Sequence, residues 1–415
     1  MKIVEGVDLH VLASRQFKTN HIKIRFSGQK QEATIARRVL VAQMLETATE
    51  HYPSSKQLRE KLADMYGTSL STSVSSKAYL HCVDIDISFI NDKFLSKGES
   101  LLDQVLDLIE EVLYHPLISV ERYQTKVFDV EKQNLINALE ADKEDHFYAA
   151  DLALQRLYYQ DETIAISKYS RADLVEKEDA FTAYQEFQSL LANDKIDIFV
   201  LGDVDDYKLL QRLHKLPFED RYQYLSPAYS QEKTNLILGK IDLQDANQSI
   251  LELGYHLPIS YEDSDYAALL VFNGLLGGFA HSKLFRYVRE EAALAYTISS
   301  RYDIFSNFFK IYAGVNKKDR DKALSLINKQ LRDMKLGRFS DREVRETKQM
   351  LLSSIRLSED NPQSLIENAY YRTVFGSSYR DLDRLLTELD EVDKKAVMSV
   401  ARKLSLQAVY FMEGD

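Results

Sequence analysis

The feature that most constrains the fold of this chain is an internal repeat. Lys132-Gln133 and Lys348-Gln349 lie 216 positions apart, and at the same offset Leu135 meets Leu351, Ala153 meets Ala369 and Arg156 meets Arg372. The order of strand-like and helix-like stretches repeats with them. A constant offset with an equal order of elements predicts a duplicated unit. At 415 residues the chain also exceeds what a single hydrophobic core organises. Each copy mixes antiparallel-looking strand pairs with long helices, which predicts one sheet covered by helices. The expected class is α+β, with two tandem homologous domains, each a mostly antiparallel sheet covered by helices. Their expected limits are 1–205 and 233–415, joined by a polar linker over 206–232 that contains Pro217 and Pro227.

Within the first copy, residues 1–30 read as a hairpin: Leu9-His10-Val11-Leu12, a polar turn, then the alternating His21–Phe26. A helix is expected over 33–48. Ser54 with Gln57 three residues on opens a second helix, which Gly67 stops. Strands follow at about 68–75 and 79–90, then an amphipathic helix ending near His115-Pro116. Long helices fill about 120–160, and Ser170 and Asp173 open another that carries Phe181, Tyr184, Phe187 and Leu191. Lys195–Leu201 is a closing strand. The second copy repeats the order: strands at about 234–241 and 248–256, a helix at 262–275, the Gly277-Gly278 break, and a helix at 281–291. Strands at about 296–303 and 308–315, further helices and a closing strand at 406–412 complete it.

Bulk properties exclude several functions. A net charge of −11 lacks the basic footprint that nucleic acid requires. No apolar run reaches the roughly eighteen residues of a membrane span. The N-terminus passes directly into strand-like alternation without an apolar leader core, and the one cysteine, Cys82, forms no intramolecular disulfide. Both point to a cytoplasmic protein.

The search for chemistry finds little. No P-loop, dinucleotide loop or Gly-x-Ser-x-Gly elbow is present; Gly274-Leu275-Leu276-Gly277-Gly278 has neither glycine spacing. Cys82 and His81 are adjacent in a strand and so face opposite ways. None of the nine histidines has a second four residues away, the spacing at which two helical imidazoles share a zinc ion. His51 with Glu46 and Glu50 is the nearest cluster. Glu140, Asp142, Glu144 and Asp145 read as a solvated acidic helix face.

Two groups of residues carry a family resemblance. In the second half these are Asn273-Gly274-Leu275-Leu276-Gly277-Gly278, Ser282-Lys283-Leu284-Phe285, Arg289-Glu290-Glu291 and Leu294-Ala295-Tyr296. In the first half they are Met44-Leu45, Tyr52-Pro53-Ser54, Leu62 to Gly67 and Glu131 to Leu139. Together they resemble the insulinase-like M16 metallopeptidases over nearly the whole chain. The opening, Leu9-His10-Val11 with Phe17-Lys18-Thr19, is most similar to a small bacterial subgroup encoded beside a second M16-like protein.

The resemblance implies two domains that enclose a clam-shell chamber. It also implies a zinc site, an inverted His-x-x-Glu-His on the first helix plus a distant Glu. Set on Met44-Leu45, the histidine positions fall on Val39 and Gln43, and the general base on Ala42. The distant ligand falls on Ala138, seven residues after Glu131. All four functional residues are replaced, so no metal or other cofactor is expected here and no peptidase activity from this chain alone. Arg289 and Tyr296 keep the seven-residue spacing of the pair that reaches substrate in active members. The strand from Thr68 to Ser75 matches the edge strand on which peptide adds.

The resulting expectation is a catalytically inactive M16-like subunit that binds peptide substrate. It would support a second M16-like protein with an intact zinc site in a heterodimer. Two alternatives stay open: an autonomous metallopeptidase using His51, Glu46 and Glu50, and a non-enzymatic peptide-binding homodimer.

Overall fold

The computed structural model describes residues 1–96, 100–223 and 225–414. The chain divides into two compact units. The first comprises residues 1–141, 166–227 and 362–370; the second comprises 142–165, 228–361 and 371–415.

The sheet of the first unit contains β1 (Lys2–Val4), β2 (Val7–Ala13), β3 (Thr19–Gln29), β4 (Ser69–Lys77), β5 (Leu80–Ile90) and β6 (Lys195–Gly202). Their spatial order is β1-β2-β6-β3-β5-β4. The hairpin expected over residues 1–30 is therefore opened: β6 lies between β2 and β3, parallel to the former and antiparallel to the latter. The reason is burial. All of β6 after Lys195 is buried, whereas only Val7 and Leu9 of β2 are, so the strand apolar on both faces takes the centre.

In chain order the helices of this half are α1 (Glu32–Thr47), α2 (Ser55–Asp64), α3 (Leu101–Tyr114), α4 (Thr125–Ala141), α5 (His146–Tyr158), α6 (Ala172–Val175), α7 (Ala180–Asn193) and α8 (Asp206–Leu213). The single helix expected from Ser170 is two. The Asp179 carboxylate accepts the N–H groups of Phe181 and Thr182, and the Thr182 hydroxyl accepts the Asp179 N–H, a capping box that restarts the chain as α7. The stretch expected as a linker carries α8, with Leu209 and Leu213 buried. Beyond it, the Arg221 N–H bonds to the Glu5 carbonyl within the first unit.

The second unit repeats the plan. β7 (Leu238–Leu243), β8 (Ser249–His256), β9 (Ala295–Asp303), β10 (Phe308–Val315) and β11 (Ser405–Glu413) lie in the order β7-β11-β8-β10-β9. The helices are α9 (Tyr266–Asn273), α10 (Arg320–Lys335), α11 (Asp341–Ser358), α12 (Pro362–Phe375), α13 (Leu382–Glu391) and α14 (Lys394–Lys403). Shifted by 216 positions, α4 falls on 341–357 and α5 on 362–374, within one residue of α11 and α12. The helix expected over 281–291 is a π-type segment, Phe285–Glu291.

Each half of the sequence lends a helix to the other unit's sheet. In the second unit α5 packs on β8 and β11. Gly254 lies beneath it: a Cβ there would stand 3.1 Å from the Phe308 ring and 3.4 Å from both Leu154 and Tyr158 of α5. In the first unit residues 362–370 bring Tyr370 over the Arg25 guanidinium of β3, 4.3 Å from ring centre to Cζ. Arg25 is 1% exposed, donates to Asp84 at 2.8 and 2.6 Å and also pairs with Glu367. The two carboxylates compensate its buried charge.

Candidate functional site

The helix that carries the candidate site, α1, is packed on nearly all sides. Ile35, Ala36, Val39, Leu40, Val41 and Ala42 are all buried. A polar anchor ties it to the sheet. Arg38 donates to His81 Nδ1 at 3.1 Å, to the His81 carbonyl at 3.0 Å and to Asp194 at 2.6 Å. Burial and the neighbouring Arg38 push the His81 imidazole down to about 3, so it is neutral. Its Nδ1 accepts while Nε2 donates to the Lys168 carbonyl at 2.8 Å. Cys82 faces the other way, wholly buried, with Sγ 3.6 Å from the Ser27 hydroxyl and its thiol pKa raised by burial.

The four positions at which a zinc site would be expected hold no ligands. Val39 and Ala42 are buried among apolar neighbours. Ala138 is exposed on α4. Gln43 is the one polar side chain left there, and its Oε1 is buried without a hydrogen-bond partner among the described residues. One isopropyl group, two methyl groups and one neutral amide cannot supply the nitrogen and carboxylate donors that zinc takes. The residues present do not fit the metal. Among the described residues no group of three or more His, Cys, Asp or Glu side chains is arranged to hold a metal ion.

The alternative set of His51, Glu46 and Glu50 is not brought together. His51 Nδ1 pairs with Glu111 of α3 at 2.8 Å, and Glu50 pairs with His115 at 3.3 Å. Glu46 turns instead to β4. There the Thr72 N–H donates to its carboxylate at 2.6 Å, and the Thr72 hydroxyl donates to the Ala42 carbonyl at 2.7 Å. Desolvation raises the Glu46 pKa above the ordinary glutamate value, against the pull of the Thr72 N–H.

That contact matters because β4 is the edge of its sheet. Along an antiparallel edge strand alternate N–H groups point away from the neighbouring strand. The Thr72 N–H is one of these, and Glu46 occupies it. The chain enters β4 through Tyr66 and Gly67, both at positive φ; Gly67 has open space around its Cα, so conformation rather than crowding favours glycine. From the sequence, Glu46 reads only as a member of the His51 cluster. Its position four residues after Ala42 places both on the α1 face that meets Thr72, which was the available signal.

In the second unit Arg289 lies on the π-type segment and Tyr296 at the start of β9, the edge strand of that sheet. Both are exposed, Tyr296 to 64%. The Arg289 guanidinium lies 4.5 Å from the Phe285 ring centre, and Glu291 pairs with Arg286 instead. The Tyr296 hydroxyl reaches Asn316 at 3.4 Å. The glycines of the preceding Asn-Gly-Leu-Leu-Gly-Gly stretch are spatial: a Cβ on Gly277 would stand 2.7 Å from the Ser300 hydroxyl of β9.

The fold and site define a class: two helix-covered sheets of one plan, with Val39, Ala42 and Gln43 on α1 where the resemblance would place a zinc peptidase's ligands and base. The profile of the family described as Peptidase M16 inactive domain matches residues 184–351. The chain is 28% identical to the probable inactive metalloprotease YmfF of Bacillus subtilis strain 168, over 99% of this chain and 96% of that one. It is 34% identical, with a TM-score of 0.96, to the crystal structure of a conserved protein from Enterococcus faecalis V583, covering 100% of this chain and 98% of the other. A peptidase M16 inactive domain from Pseudomonas fluorescens shares the fold, with a TM-score of 0.76 at 15% identity over 99% of this chain and 96% of that one. The chain belongs to the M16 peptidase family and is homologous to its inactive members.

Proposed function

We propose that this chain is a non-catalytic M16 subunit that binds extended peptide along β4 and supports a zinc-bearing M16 partner in cytoplasmic peptide processing. The observation that carries the reading is the state of α1. Val39, Ala42 and Gln43 pack or fill where ligands and base would stand, while the edge strand beside them is retained. Binding along an edge strand relies on backbone hydrogen bonds, which need no metal and few particular side chains. In this reading exposed Arg289 and Tyr296 act on peptide held at the partner's metal, Arg289 by pairing with a carboxylate or carbonyl and Tyr296 by donating its hydroxyl. The division into a first domain, a linker and a second domain at 205 and 233 is part of the same proposal.

The test is to mix the purified chain with a zinc-bearing M16 protein from the same genome. A stoichiometric complex that cleaves peptides faster than the partner alone is expected. Absence of both a complex and any change in cleavage would overturn the proposal.

A further inference from the structure

The two sheets repeat one plan but differ at one edge. In the first unit β2 runs parallel to β6, and its free side is covered by β1, antiparallel, with Ile3 buried. In the second unit β7 stands in the place of β2, parallel to β11, and no strand among the described residues covers it. The uncovered edge is apolar: Leu236 is 67% exposed, Ile237 52%, Ile241 51% and Leu243 76%. A strand edge that is both unpaired and apolar is a template for another strand.

From this juxtaposition we propose that β7 is the interface at which two copies of this chain pair, antiparallel, about a twofold axis at Ile241. The residues choose the occupant. In an antiparallel pair centred on Ile241, Lys240 of each copy stands opposite Asp242 of the other, so opposite charges meet twice. Within one protomer Lys240 and Asp242 already lie 2.7 Å apart on the same face, and Tyr410 donates to Asp242 at 3.2 Å, so both charges are held at the edge. On the other face Leu243 of each copy falls opposite Gly239 of the other. Gly239 leaves space for it: the nearest atom to a Cβ there is the Val409 carbonyl at 3.9 Å. Charge, volume and backbone are thus self-complementary in one register. Pairing joins the two five-stranded sheets into one and buries Ile241 and Leu243. β7 belongs to the second unit and β4 to the first, and pairing through β7 uses none of the residues assigned to peptide.

One strand pair is a small interface, so a dissociation constant on the order of micromolar is expected. Sedimentation equilibrium of the full chain across a concentration series should show a monomer–dimer equilibrium. Lys240→Asp and Asp242→Lys alone should each weaken it about tenfold or more, since each sets like charges opposite one another twice. The double exchange should restore it. Hydrogen exchange should show residues 238–243 protected only at dimer-forming concentrations, with circular dichroism confirming folded variants. A monomer at all concentrations, a dimer indifferent to the single exchanges, a double variant that stays monomeric, or open-ended aggregation would each overturn the proposal. Protection of this edge only when a different protein is added would also overturn it.

Discussion

The Glu46 carboxylate of α1 holds the Thr72 N–H of β4 at 2.6 Å. A helix side chain thereby takes a donor that an edge strand would otherwise present to an added strand. The proposed peptide has to compete with Glu46 for that donor. One net hydrogen bond contributes about 0.5–1.5 kcal/mol. Glu46→Ala is therefore expected to bind an extended peptide about two- to tenfold more tightly than the native chain by fluorescence anisotropy. Unchanged or weaker binding would show that peptide does not use this edge.

Arg289 and Tyr296 are solvent-facing, so Arg289→Ala and Tyr296→Phe are expected to leave the chain's stability within about 0.5 kcal/mol. In the complex with the zinc-bearing partner each should lower kcat/KM for peptide. Equal activity of all three complexes would remove both residues from the site.

Arg25 is buried with Asp84 and Glu367 as its partners. Arg25→Met leaves two carboxylates without their shared cation and should destabilise the chain by about 3–5 kcal/mol in urea unfolding. Adding Asp84→Leu should recover a large part of that loss, because its cause is a buried carboxylate that has lost its two-pronged partner and keeps only Lys23, at 3.4 Å, among the described residues. A double variant less stable than the single one would contradict this.

Glu252 of β8 is 1% exposed, and burial pushes its carboxyl up to about 8 from an ordinary 4.5, with Lys310 pulling it down. The folded chain keeps a proton that the unfolded chain releases near 4.5, so stability falls as pH rises from there to about 8 and levels off above. Glu252→Gln removes that loss and should be more stable above this range by on the order of a few kcal/mol. Melting curves across pH check it; parallel pH profiles for the two proteins would contradict the assignment.

The repeat was legible in the sequence because α4 and α5 carry the matched residues and reappear at the same offset as α11 and α12. What α5 packs against was not, since a helix's periodicity names its apolar face and not the sheet that covers it. The insertion of β6 between β2 and β3 was hidden for the same kind of reason: 165 residues separate β3 from β6, and alternation is blind to pairing. The break before α7 could have been read from Asp179 and Thr182, whose spacing marks a capping box. At the site, Val39, Ala42, Gln43 and Ala138 are positions that only the resemblance to a family pattern marks out. The Glu46–Thr72 contact is not marked out, because it joins a helix to a strand 26 residues away.

The central claim is that this chain contributes to peptide processing without holding metal itself. The most direct test is zinc per protomer, measured by atomic emission on the isolated chain, the isolated partner and their purified complex, with peptide cleavage recorded on the same samples. The account predicts no stoichiometric zinc and no cleavage for this chain alone, and one zinc per heterodimer with chelator-sensitive cleavage in the complex. Stoichiometric zinc in the isolated chain, with chelator-sensitive cleavage, would contradict it.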